Sequence, residues 1–300
     1  MLRIIYKRKI FFIISGCLFV ASIVAISVWG LKFGIDFTGG TIAEYSFNGE
    51  RPAVYQVRDV FNNEKIENIQ VQLAGEKEII IRAKDLNEEQ HQQIVTVLKN
   101  NFGGDQIVEN RFESIGPTVG AELKNKAVTS LILASILIIL YVAFAFRKVS
   151  RPVQSWKYGV GAIIALIHDL TIVTGIFAVL GHFWGYEVDT FFVTSLLTVL
   201  GYSVNDTIVV YDRTRENLFH SVGENFEETV NRSVDETMAR SINTTLTTLL
   251  TLLLLYFLGG ETIRTFVLSL ILGIFFGAYS SIFVASPLLV VWQKLGAKKK

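Results

Sequence analysis

Apolar residues are gathered into six long runs, at about 10–30, 128–146, 158–180, 191–211, 242–258 and 266–292. Each spans at least the roughly 17 predominantly apolar residues that a transmembrane helix needs. Between the first run and the second the pattern changes to that of a folded polar-faced segment. Residues 42–47 alternate like a strand, and Val54, Val57 and Phe61 give 52–62 a helical spacing. Residues 69–73 and 78–83 read as a hairpin turning at Ala74-Gly75. A second helix fits 87–102, with Asn87 as its cap and Gly103-Gly104 as its stop, and 107–115 supplies a last strand. The order βαββαβ predicts a ferredoxin-like split βαβ layout.

The pattern therefore predicts an α-helical polytopic membrane protein of six transmembrane helices, with an α+β domain inserted between helices 1 and 2. The expected boundaries are 1–31, 32–125 and 126–300. A further amphipathic helix, marked by Phe226, Val230, Val234 and Met238, precedes the fifth run, and it is expected to pack beneath the bundle or lie at the interface.

Composition agrees: 51% of the residues are hydrophobic and the mean hydropathy is +0.43, too apolar for an ordinary soluble chain. The net charge of +1 says little, but its placement orients the spans. Arg147, Lys148, Arg151 and Lys157 follow the second run, Arg213, Arg215 and Arg232 the fourth, and Lys294 with Lys298, Lys299 and Lys300 the sixth. The opposite connections, 181–189 and 259–264, contain only Arg264. Both termini are thus expected in the cytoplasm and 32–125 outside. Arg3, Lys7, Arg8 and Lys9 before the first run resemble the front of a signal peptide, but the run is long and more spans follow, so an uncleaved first helix is expected despite the small-residue site at Ala25-Ile26-Ser27. Cys17 is the single cysteine, which excludes an internal disulfide and a thiolate metal site.

The chemistry concentrates on Asp206. If the fourth span runs over 191–211, this carboxylate lies roughly 8 Å inside one end, at ~1.5 Å per residue. An acid at that depth is costly unless paired, protonated or facing a wet cavity, so it is a candidate functional group. Ser195, Thr198, Tyr202 and Asn205 recur with it at steps of three and four, on one helix face. The fifth span opens with Arg240 and Asn243, then Thr244, Thr247 and Thr251 at the same steps, and two such stripes on consecutive antiparallel helices can face each other. Arg240 fits either an ion pair with Asp206 or a positive anchor at a helix start. His168-Asp169 falls near the middle of the third span, where the acid suits a neutral, hydrogen-bonded residue as well as a proton path. Gly273 and Gly277 fit close helix packing. There is no phosphate-loop lysine, no metal-spaced histidine pair and no nucleophile elbow, so no enzyme, cofactor or metal is expected. The Asn-x-Ser/Thr matches at Asn205, Asn231 and Asn243 lie in or beside predicted membrane helices and are read as chance.

Four stretches together resemble one family: Gly34 to Thr41 directly after the first helix, His168-Asp169, Gly201 to Thr207 running on to Asn217, and Arg240 to Thr245. The chain resembles SecF, the smaller half of the SecDF accessory complex of bacterial protein export, in the resistance-nodulation-division superfamily of proton-driven machines. The resemblance implies that Asp206 is the family's essential carboxylate, Arg240 its functional arginine, and the loop with Gly34, Asp36, Gly39 and Gly40 a family signature. It implies a SecD-like partner, the SecYEG channel, a translocating polypeptide, membrane lipid and protons as partners, in the bacterial inner membrane, with no nucleic acid. A proton crossing the membrane potential releases ~2.3 kcal/mol per 100 mV, enough over a few protons to move a small domain. Two other readings use the same residues: a stand-alone proton-coupled exporter of lipid or small molecules, and a scaffold of the export channel that transduces no energy.

Overall fold

The computed structural model describes residues 3–64, 66, 69–84, 86–104, 107–146, 153–220 and 225–297. The basic residues expected at Arg147, Lys148, Arg151 and Lys298–Lys300 lie outside these. The chain divides into two compact units, Phe33–Ala127 and a second made of Met1–Lys32 with Val128–Lys300.

The smaller unit begins with a single helical turn, α2 (Ile35–Thr38), which follows α1 (Arg8–Trp29) of the larger unit. Strand β1 (Gly40–Phe47), helix α3 (Val54–Asn63), the hairpin β2 (Ile69–Ala74) and β3 (Glu78–Ala83), helix α4 (Glu88–Phe102) and strand β4 (Ile107–Ile115) come next. All pairings are antiparallel and the strand order is β2-β3-β1-β4, so β3 is inserted between β1 and β2. Alternation supplies the core: Ala43, Tyr45 and Phe47 of β1 and Ile79 and Ile81 of β3 point inward against Val57 and Phe61 of α3 and Ile94 and Leu98 of α4. Helix α4 starts where the sequence places its cap, with Asn87 Oδ1 accepting from Gln90 N at 2.8 Å and Gln90 Oε1 accepting from Asn87 N at 3.0 Å.

Among its described residues the larger unit is built of helices and short connections. After α1 come α5 (Pro117–Ala145), whose first turns belong to the smaller unit, then α6 (Ser155–Trp184), α7 (Thr190–His220), α8 (Phe226–Leu258), α9 (Glu261–Ser280) and α10 (Ser286–Ala297). Among the described residues six stretches are long and apolar enough to cross a membrane, with α9 and α10 forming one of them. Two boundaries differ from the sequence expectation. The amphipathic segment starting at Phe226 is not a separate helix: no glycine or proline interrupts 226–258, so it runs unbroken into the fifth span while Phe226, Val230 and Val234 join the core. The sixth span is instead interrupted by a π-helical turn, Ser281–Ala285, just before Pro287. Proline supplies no N–H to the helix ladder, and Ser286 Oγ donates to the Ser281 carbonyl at 2.8 Å, taking up an acceptor in the widened turn.

Burial is uneven. The spans of α6, α7 and α9–α10 are about half buried within the chain, whereas in those of α1, α5 and α8 only 17%, 6% and 11% of the residues are buried. Much of the surface of these three helices thus remains open to lipid or to another chain.

Candidate functional site

Helices α7 and α9 approach closely because α9 carries glycine where they cross. A Cβ at Gly277 would lie 2.9 Å from Ser203 Cβ, and one at Gly273 would collide with the Val199 side chain. The close approach sets polar groups of three helices side by side. Asp169 of α6 is fully buried, and its Oδ2 accepts from Ser203 Oγ of α7 at 2.7 Å and from Ser280 Oγ of α9 at 2.6 Å. His168 Nδ1 lies 2.9 Å from the other carboxyl oxygen. One residue on, Ser281 Oγ stands 2.7 Å from Thr207 Oγ1 and also donates to the Gly277 carbonyl. The start of the π-helical turn therefore sends one serine to α6 and its neighbour to α7.

Asp206 sits beside Thr207 and faces α8. It is 6% exposed, hydrogen-bonded by the Ser241 hydroxyl and drawn electrostatically by Arg240. Its Oδ2 is buried and has no hydrogen-bond partner among the described residues. The direct ion pair, one of the two readings open for Arg240, is not made: Arg240 acts on Asp206 through its charge, without a hydrogen bond, and its side chain is exposed.

The stripe of α7 is not a single face. At about 100° per residue, Ser195, Thr198, Tyr202, Asn205 and Asp206 cover an arc of roughly 100°, and that arc straddles the edge of the packed interior. Ser195 and Asp206 turn inward, and Ser195 Oγ accepts from Ser269 Oγ of α9. Thr198 and Asn205 are exposed, while Tyr202 donates to the Thr244 carbonyl of α8 at 3.1 Å and lies 3.3 Å from Thr248 Oγ1. The α8 stripe does not face α7 as a whole either. Asn243, Thr244, Thr247 and Thr251 are exposed, and the three threonines satisfy their hydroxyls on carbonyls of their own helix. Ser203, Thr207, Ser241, Ser280 and Ser281 were not singled out by the sequence. Ser203 at three residues before Asp206, and the serine pair ahead of Pro287, were the available signals.

The glycine loop has a steric explanation. Gly34 caps α2, Asp36 lies in its first turn, and Thr38 Oγ1 donates back to the Gly34 carbonyl at 3.0 Å. Gly39 and Gly40 have φ of 70° and 130°, backbone that side chains rarely adopt. A Cβ on Gly39 would sit 2.8 Å from Pro117 Cα, one on Gly40 2.9 Å from the Ala83 carbonyl, and one on Gly120 2.9 Å from Gly39 N. The loop seats the start of α5 directly against the start of β1.

At the bundle end that holds both termini, Glu227 at the start of α8 is gripped by Arg8 and by Lys294. Asn217 Nδ2 donates to Ser233 Oγ and Glu236, and Arg213 pairs with Glu236 at 2.6 Å. Among the described residues no cluster of histidine, cysteine or carboxylate side chains is arranged to hold a metal ion.

Six membrane-length helices and a hydroxyl-lined interior holding two carboxylates define a multi-pass membrane protein with a polar core, joined to a small antiparallel α+β unit. The family model described as "Protein export membrane protein SecD/SecF, C-terminal" matches residues 94–295, and the SecD/SecF GG motif matches 24–49, around the glycine loop. The chain belongs to this family, on its SecF side. It is 42% identical to the protein translocase subunit SecF of Thermobaculum terrenum, over 98% of this chain and 94% of that one. With the SecF of Anaerolinea thermophila it shares 38% identity over the same shares of both chains. The crystal structure of a Thermus SecDF, described as a translocon-associated membrane protein, superposes on 97% of this chain with TM-score 0.82 at 32% identity. A SecDF structure in a super-membrane-facing form gives 0.65. This chain spans 38% of the length of each SecDF chain.

Proposed function

We propose that this chain is the proton-coupled half of a protein translocase in the bacterial cytoplasmic membrane, with Asp206 as its protonation gate. The observation that carries the reading is the Asp206 carboxyl, buried in a span, with one oxygen unpartnered among the described residues and Ser241 and Arg240 beside it. When Asp206 is ionised, the charge of Arg240 and the Ser241 hydrogen bond hold α8 against α7. A proton arriving on the unpartnered oxygen removes the charge that Arg240 answers. The guanidinium stays charged at any physiological pH, so it must find water or another anion, and α8 shifts against α7 to allow it. The Ser203, Ser280 and Asp169 contacts keep α6, α7 and α9 together, so the shift falls on α8.

In this reading both termini are cytoplasmic and residues 33–127 form the ferredoxin-like extracytoplasmic domain, which the strand order β2-β3-β1-β4 supports. The exposed spans of α5 and α8 suit burial against a SecD-like half, with the SecYEG channel beyond it. Domain movement then promotes late steps of polypeptide export, and the chain acts as transport machinery rather than as an enzyme.

The test is Asp206→Asn in energised membrane vesicles. The variant should assemble normally and lose the part of export that depends on the proton gradient. Undiminished gradient-dependent export would remove Asp206 from the mechanism.

A further inference from the structure

The two edges of the sheet in the smaller unit are built differently. Strand β4 carries Glu109, Arg111 and Glu113, and a register shift opposite Glu44 and Tyr45 interrupts its pairing with β1. Charges and bulges are the devices by which proteins blunt an edge against further strand pairing. Strand β2, Ile69-Gln70-Val71-Gln72-Leu73-Ala74, has none of them. It pairs in regular register with β3 alone, over all six residues, and contains no charge, proline or glycine. Among the described residues no backbone or side-chain group bonds to its outer side.

A cavity of about 660 Å³ opens beside this edge, between the start of α3 and the end of β2, lined among others by Arg51, Tyr55, Arg58, Asp59, Asn62 and Leu73. Tyr55 is 65% exposed and Leu73 50% exposed, so large apolar surface borders an open row of backbone donors and acceptors. Arg51 is held by the Gly75 carbonyl at 2.6 Å, and Arg58 has no partner among the described residues. Two guanidinium groups against one carboxylate leave the cavity cationic.

We propose that the outer edge of β2 docks an extended segment of unfolded polypeptide as a fifth strand, with one side chain seated in the Tyr55–Leu73 cavity. The inference rests on the translocase reading and names the site on this chain that its substrate would touch. Strand addition recognises backbone, which every unfolded chain presents, so it is tolerant of sequence; the cavity adds a preference for an aromatic or apolar residue with an acidic one nearby. Folded proteins offer no free backbone row and are rejected.

The experiment places a photo-crosslinking residue at Leu73, or at Val108 of β4 as control, in the full chain held in nanodiscs. The probe is a synthetic peptide of about ten residues, long enough for one strand, alternating Thr and Val with one central Phe and one Glu. Labelling should be saturable at Leu73 and weak at Val108. The paired substitutions Gln70→Lys and Gln72→Lys, both on exposed positions, should weaken apparent affinity roughly tenfold by blunting the edge. A peptide with every second residue replaced by proline, which cannot complete the ladder, should lose labelling. Equal labelling at Val108, labelling indifferent to the lysines or the prolines, or no labelling at all would each overturn the proposal. The assay needs no proton gradient, so its failure leaves the Asp206 reading standing, and the vesicle assay leaves this one standing.

Discussion

At the scale of single residues, the interior of the bundle is governed by which carboxylate finds donors. Asp169 has two serine hydroxyls and a histidine nitrogen, from its own helix and two others, while Asp206 keeps one oxygen without a partner among the described residues. The first arrangement fixes a group in place and the second leaves it available. Ser280→Ala should therefore act on stability rather than on coupling. It takes one donor from a buried carboxyl, a loss of about 1–3 kcal/mol, which a lowered thermal midpoint in detergent would register while gradient dependence is retained. In the smaller unit Tyr45 offers a pH test. Burial, and then the Glu109 carboxylate, push its phenol well above the usual value of 10.0. The folded state thus keeps its proton when the unfolded chain has lost it, and stability falls as pH rises beyond about 10, by up to ~1.4 kcal/mol per pH unit. Near-UV circular dichroism melts at about pH 9 and about pH 11 should show the drop, and Tyr45→Phe should reduce it. Much of this scale was illegible beforehand. A lone serine in an apolar run gives no periodic signal, so Ser203, Ser241 and Ser280 emerge only once helices cross, whereas Asp206 and Asp169 stood out by being charged at depth.

At the scale of elements, glycine and proline decide how helices meet. Gly277→Val would drive a branched side chain into Ser203 on α7, where even a Cβ comes within 2.9 Å. Overpacking of this kind costs about 1–3 kcal/mol, and the variant should melt earlier and yield less folded protein. Asn87→Ala, which removes the reciprocal cap of α4, should cost about 1 kcal/mol, read as a lower midpoint of the smaller unit's unfolding. The strands β3 and β4 were readable to the residue, because alternation bounded by turn residues leaves little freedom. The length of α8 was not. Its charged first half resembles a connecting segment, and only the packing of Phe226, Val230 and Val234 against the core shows one helix continuing through it. The π-helical turn before Pro287 was hidden too, since a proline within an apolar run signals disruption without saying which ladder bonds change.

At the scale of the whole molecule, one polar-cored bundle and one open-edged α+β unit share a chain whose α5 and α8 spans bury little within it. The two polar stripes explain why the sequence expected opposed faces. The residues are present, but Thr198 and Asn205 of α7 and the whole α8 stripe turn outward, where a second chain would cover them. In the proposed mechanism Asp206 takes up and gives back a proton as the machine works. Difference infrared spectroscopy on the chain in its membrane complex, recorded as a proton gradient is imposed and collapsed, reads this directly. The account predicts a protonated-carboxyl band that appears with the gradient and is missing in Asp206→Asn. A spectrum with no carboxyl change, or one that survives the substitution intact, would contradict it.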